Sequence, residues 1–211
     1  MKFVLLGATG MIGSRIAAEA VDRGHQVTCV SRSGRAPVPG VTSTAADAAD
    51  SGRIAELAAG HDAVVSALAP SGDGGEQRER FVALNRAVVD ATRAAGISRL
   101  LVVGGAGSLL VAPGEELVVQ PVFPADLLGV ALAHRDALAF YRTVEDLEWT
   151  NVSPPAEIAP GTRTGNFRVG GDELLVDAEG RSRISAEDYA AACVEELESN
   201  AHPRSRITFA Y

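Results

Sequence analysis

Residues 2–13 read Lys2-Phe3-Val4-Leu5-Leu6-Gly7-Ala8-Thr9-Gly10-Met11-Ile12-Gly13. An apolar run followed at once by a glycine suits a short strand buried on both faces. Ile12, Ile16 and Ala20 then recur at helical spacing, and Gly24 supplies a helix stop. At such a strand-to-helix turn each glycine has a task. One permits the tight turn, one lets the backbone approach a pyrophosphate, and one lets the helix pack close to the strand. The helix N-terminus adds free N–H groups and its dipole. A glycine triplet alone carries little. Between an apolar strand and an amphipathic helix, at the head of an alternating series, it points to a dinucleotide. The alternative is a glycine-rich turn without ligand, although packing alone would not require all three glycines.

The pattern outward from this turn keeps alternating. Strands are expected at 26–31, 41–44 and 63–68, with Ser51 capping a short helix before the last of these. Phe81, Leu84, Val88, Ala91 and Ala95 lie on one helical face, closed by Gly96. A fifth strand covers 99–103, an irregular glycine- and proline-rich stretch follows, and a helix runs from near Pro124 to about residue 144. A sixth strand at 147–152 stops at Pro154-Pro155. Beyond it, Gly170-Gly171 signals a hairpin between 167–169 and 173–176. Arg183-Ile184 form a short strand, Ser185 with Asp188 a capping box for a helix to 198, and 207–209 a last strand. This is an α/β chain of Rossmann type: a doubly wound, mostly parallel sheet with helices on both faces and a small C-terminal extension. Residues 1–211 are expected to form a single domain, with 156–211 as its substrate-side extension.

The chain has 211 residues, 46% hydrophobic and 22% charged, with few aromatics, so Val, Leu, Ile and Ala must build the core. A net charge of -8 argues against nucleic acid as a partner. Cys29 and Cys193 show no pairing motif and read as reduced thiols. The first apolar run is too short for a signal peptide, and no run approaches the roughly 18 residues of a membrane span. The expectation is a soluble cytoplasmic monomer or homodimer that meets a small-molecule acceptor and no membrane. His25, His61, His134 and His202 are scattered, so no metal site is expected.

The end of the second strand reports cofactor choice. NAD binders place an acid there, about 20 residues beyond the loop. Here the residues are Val30-Ser31-Arg32-Ser33-Gly34-Arg35. Arg32 stands where a 2′-phosphate would lie, with Ser33 and Arg35 as helpers, and NADP is expected. The alternative is a solvated surface arginine. Asp47, after the third strand, is either an adenine-side residue or a plain surface acid.

These residues resemble the atypical short-chain dehydrogenase/reductases. Within them the chain is most similar to an NAD(P)H-binding group of NADH-flavin reductase type, related to biliverdin-IXβ/flavin reductase and to NmrA-like proteins. The matching segments are Gly7 to Gly13, Arg32, residues 85–96, 101–109 (LVVGGAGSL) and 149–157 (WTNVSPPAE), and the likeness runs over essentially the whole chain. The resemblance implies that the cofactor also touches Leu68-Ala69-Pro70, Val103-Gly104-Gly105 and Pro154-Pro155. The wider superfamily uses a Tyr with a Lys four positions later. Here Glu145 follows Tyr141 at that spacing, Cys193 follows Tyr189, Tyr211 is last, and Lys2 is the single lysine. Without a lysine to lower the tyrosine pKa, alcohol oxidation is disfavoured. Hydride transfer to a planar conjugated acceptor, such as a flavin, quinone or tetrapyrrole, fits better, because solvent can supply the proton. The alternative is an NmrA-like redox sensor that binds NAD(P) without turnover.

Two residues are candidates to support such a reaction. Ser108, in the loop after the fifth strand, could donate a hydrogen bond to the acceptor, or could be a turn serine bonded to its own backbone. His134 shares a helical face with Leu127, Ala131, Leu138 and Tyr141, and could relay a proton or simply be packed. The related biliverdin reductase has a histidine just after its Pro-Pro turn, where Ala156 stands here. The run Ser71-Gly72-Asp73-Gly74-Gly75 reads as a mobile cover or a plain surface loop.

Overall fold

Strand β1 (Lys2–Leu6) is fully buried from Phe3 to Leu6 and pairs in parallel on both sides, with β2 (Gln26–Ser31) and β4 (Ala63–Ser66). The computed structural model describes residues 1–71 and 74–211. The other strands of the main sheet are β3 (Thr42–Ala45), β5 (Arg99–Val103), β8 (Glu148–Ser153), β10 (Arg168–Gly170) and β12 (Ser205–Ala210). Their order is β10-β12-β8-β5-β4-β1-β2-β3, and every pairing is parallel except β10 with β12. The order reverses between β1 and β4. A sheet wound in two directions leaves a crevice outside its carboxyl ends at that point.

Helices cover both faces. α1 (Met11–Asp22) and α5 (Ala186–Ser199) pack together on one face, where Ile16, Ala17 and Ala20 meet Tyr189, Cys193 and Leu197. α2 (Ser51–Ala58), α3 (Gly74–Ala94) and α4 (Leu128–Tyr141) cover the other, where Ile54, Val88, Leu138 and Tyr141 meet Trp149. The fold is therefore the doubly wound one read from the sequence. β12 is a strand of the main sheet and α5 lies on its face. Outside that frame stand a parallel pair, β9 (Glu157–Ala159) with β11 (Arg183–Ser185), and an antiparallel pair, β6 (Leu110–Ala112) with β7 (Glu115–Glu116). No described helix is long and apolar enough to cross a membrane.

Three local expectations are corrected. The cap of α2 is Asp50, whose carboxylate accepts the Arg53 N–H at 2.9 Å; Ser51 is already helical. No hairpin forms around Gly170-Gly171. β10 instead pairs with β12, while Leu110 exchanges 2.8 Å backbone bonds with Asp172 and Leu174. Two non-local partners outcompete the local turn. At α5, Ser185 Oγ accepts the Asp188 N–H at 3.0 Å, but the returning half of the box is absent. The Ser185 N–H goes to the Tyr211 hydroxyl, which donates to Asp188. Of the glycine-rich run at 71–75, Gly72 and Asp73 lie outside the described residues, and Gly74 and Gly75 open α3.

Candidate active site

The three glycines of the first turn meet different surroundings. Gly7 has φ +74°, and a Cβ there would lie 2.5 Å from the Ala67 carbonyl oxygen. A Cβ on Gly13 would lie 2.3 Å from the Gly7 oxygen. The turn and the close helix thus require both. A Cβ on Gly10 would meet only the Gly7 oxygen at 3.5 Å, an ordinary contact, and its φ is -74°. The protein itself has no need of a glycine there. Gly10 also leads into α1 without a side-chain cap, and the first helical bond is Ser14 N–H to Gly10 C=O at 3.0 Å. The N–H groups of Met11, Ile12 and Gly13 meet no acceptor among the described residues. Thr9, Gly10 and Met11 are exposed, while Ala8 is buried. Open donors beside a bare glycine are what a pyrophosphate fits.

The register brings the ends of β1, β2 and β3 level, with Leu6 beside Val30 and Val30 beside Thr44. The turn after β2 closes with Gly34 N–H to Ser31 C=O at 3.2 Å, and Gly34 adopts φ +65° against Ala45. Ser33 Oγ accepts the Arg35 N–H at 3.4 Å. Arg32, Ser33 and Arg35 are exposed, and neither guanidinium meets a carboxylate or carbonyl among the described residues. Arg23, Arg93, Arg163 and Arg181, by contrast, each hold a carboxylate. Asp47 is exposed just past β3, with one carboxylate oxygen accepting the Ala49 N–H at 3.0 Å.

Further along the same edge, Leu68-Ala69-Pro70 leave β4 and Val103-Gly104-Gly105 end β5. The Gly104 N–H binds the Val152 carbonyl at 2.7 Å, and Pro154-Pro155 follow β8. A Cβ on Gly104 would strike Asn151 Oδ1 at 2.3 Å; one on Gly105 would strike His134 Cβ at 2.8 Å. His134 therefore sits against this turn, with its ring edge-on to Phe81 at 4.8 Å. Burial pushes its pKa down to about 4, so the ring is neutral at pH 7. It can offer or accept a hydrogen bond but carries no extra proton to relay. Leu127, expected on the same face, instead ends the 3-10 turn before α4 and is exposed.

Ser108 is largely buried, and its hydroxyl has no hydrogen-bond partner among the described residues. Its carbonyl accepts from Arg206 Nη2 at 3.3 Å. Arg206 Nε in turn binds Asp172 at 2.7 Å. No tyrosine at this edge is available for proton transfer. Tyr141 is fully buried, donates to Asn85 Oδ1 at 2.8 Å, and burial holds its phenol far above the usual range. Tyr189 donates to the Val152 carbonyl and Tyr211 to Asp188. Lys2 lies at the opposite, amino end of β1. Neither Asn151 nor Arg206 stands out in the sequence, because each shares its strand with other polar residues, Glu148, Thr150 and Ser153 in β8 and Ser205 and Thr208 in β12.

The carboxyl edge of one sheet thus gathers the glycine loop, the Arg32 turn, Asp47, the three later turns, Ser108 and His134. Residues 7–200 match the family model described as NAD(P)H-binding, and the chain belongs to that family. It is 52% identical to a Burkholderia pseudomallei protein provisionally named an exported protein, covering 100% of both chains with a TM-score of 0.89. A Bacteroides thetaiotaomicron protein provisionally named an epimerase is 36% identical, covering 100% of this chain and 96% of its own, with a TM-score of 0.91. A Streptococcus pneumoniae protein provisionally named an NADH-flavin reductase is 32% identical, covering 100% and 99%, with a TM-score of 0.82. The resemblance read from the sequence to an NAD(P)H-binding group is borne out.

Proposed function

We propose that the chain is an NADPH-dependent reductase of a planar conjugated acceptor. The observation that carries this is Gly10, bare where the protein would tolerate a side chain, beside three open N–H groups. A reduced nicotinamide bound along this edge supplies a hydride. The chain's residues do the rest. The first turn of α1 holds the pyrophosphate. Arg32, with Ser33 and Arg35, faces the 2′-phosphate, and Asp47 borders the adenine side. The turns at Leu68-Ala69-Pro70, Val103-Gly104-Gly105 and Pro154-Pro155 line the remainder. Ser108 Oγ, without a partner among the described residues, donates to a carbonyl or ring nitrogen of the acceptor, and neutral His134 walls the pocket beside Gly105. Solvent supplies the proton. An epimerase working through transient alcohol oxidation would need a base tuned to deprotonate the alcohol, and none of the tyrosines above is placed for that. The buried unpaired thiols Cys29 and Cys193 suit a reducing cytoplasm.

The test combines binding and turnover. A charge-assisted hydrogen bond contributes roughly 1.5–3 kcal/mol, and partial exposure favours the low end, so NADPH should bind about tenfold tighter than NADH. Arg32→Ala should remove that preference and leave NADH unchanged. NADPH oxidation should be driven by at least one of a flavin, a quinone or biliverdin. Equal cofactor affinities in the wild type would make Arg32 a surface residue. Tight NADPH binding with no turnover would replace the reductase by a sensor.

A further inference from the structure

The two ends of this edge carry opposite electrostatic character. Arg32 and Arg35 stand at the adenosine end with no carboxylate or carbonyl partner among the described residues. Residues 104–127, which join β5 to α4 at the other end, contain no lysine or arginine, but hold Glu115, Glu116 and Asp126. The same segment exposes apolar side chains, with Val119 64% and Val122 85% exposed. The first cation beyond it, Arg135, turns back to Glu116 at 3.3 Å. Beyond β8, Glu157 at the start of β9 is exposed, whereas Asp172 is held by Arg142 and Arg206. The arginines beyond β8 on this side are engaged: Arg163 by Glu19, Arg181 and Arg183 by Asp177, and Arg168 by the Val176 and Tyr211 carbonyls. Arg206, the cation nearest Ser108, is taken up by Asp172.

We infer that the acceptor is an uncharged, apolar ring of quinone type, and that phosphorylated flavins and carboxylate-bearing tetrapyrroles are selected against. This rests on the reductase reading and narrows it. An anionic group brought to the acceptor end meets carboxylates and apolar surface, with no free cation among the described residues to receive it. A neutral ring meets apolar side chains and one hydroxyl, Ser108. In the reaction the quinone takes the hydride pair and one solvent proton. It becomes the hydroquinone while the dihydronicotinamide is oxidised.

The test measures acceptor binding by equilibrium dialysis against the full chain saturated with NADP+, using menadione, FMN and biliverdin. NADPH oxidation by each is followed in parallel. Menadione should bind about tenfold or more tightly than either anion, and added salt should narrow the gap by screening. Glu116→Gln removes one acid and releases Arg135, and should raise FMN affinity several-fold without changing that for NADPH. FMN or biliverdin binding as tightly as menadione would overturn the inference, as would no menadione binding at all. Turnover with FMN but not menadione would overturn it while the reductase reading stands. Selective menadione binding without turnover would leave the acceptor preference and overturn the reductase.

Discussion

Gly10 and Gly13 lie one helical turn apart, yet a side chain at each has a different consequence. At Gly13 the new Cβ would collide with backbone at 2.3 Å, and backbone cannot swing aside. At Gly10 it would meet nothing closer than 3.5 Å. Gly10→Val should therefore melt within a few degrees of the wild type and lose NADPH binding, while Gly13→Val should be strongly destabilised. Wild-type NADPH affinity in folded Gly10→Val would remove the loop from the binding site. His134 gives a pH signature. Its folded pKa of about 4 is below its ordinary 6.5, so between those values the unfolded chain takes up a proton that the folded chain refuses. The stability associated with the neutral ring is complete above about 6.5 and is lost as pH falls toward 4. His134→Leu should therefore lose less melting temperature than the wild type between pH 7 and pH 5. Parallel losses in the two proteins would show that the ring is not held neutral.

At the scale of elements, local signals fixed what forms and non-local partners fixed how it ends. The apolar faces of α3 and α4 were readable because periodicity is a property of the segment itself. The start of α5 was half readable. Ser185 caps it as its residue type predicts, but the other half comes from Tyr211, 26 residues away. The Tyr211 hydroxyl joins the Ser185 N–H at 3.1 Å to the buried Asp188 carboxylate at 2.8 Å. Tyr211→Phe strands both groups and should cost about 1–3 kcal/mol. A denaturant titration showing no loss would mean that water replaces the hydroxyl at no cost.

Across the whole molecule the two edges of the sheet divide the work. The carboxyl edge holds open donors, and Arg32 and Arg35 with no carboxylate partner among the described residues. The amino edge holds a closed ion pair, in which Arg99 at the start of β5 meets Glu196 of α5 at 3.1 Å, both almost fully buried. Thr150 and His202 complete the cluster around Glu196. Removing one member of a buried pair leaves an uncompensated charge and costs about 3–5 kcal/mol. Glu196→Ala should lower the melting temperature by roughly 10 °C. NADPH affinity should stay unchanged, because the pair lies at the opposite edge from the loop. A parallel loss of NADPH binding would show that the edges are coupled.

The strand-glycine-helix unit, the alternation that winds the sheet and the acid missing after β2 were legible in the chain's order of residues, because each is written in neighbours through periodicity, turn chemistry and charge. That order also showed that no tyrosine has a lysine at the expected spacing. That a side chain would fit at Gly10 but not at Gly7 or Gly13 follows from the folded chain alone, since it depends on Ala67 and the packing of α1 on β1. The fold also seated His134 on Gly105, left the Ser108 hydroxyl without a partner among the described residues, sealed Tyr141 against Asn85 and sent β10 to β12 in place of a hairpin. Those outcomes join residues far apart in the chain. Local propensity is silent about them, because their energy comes from burial and from which backbone groups remain to be satisfied once the sheet has closed.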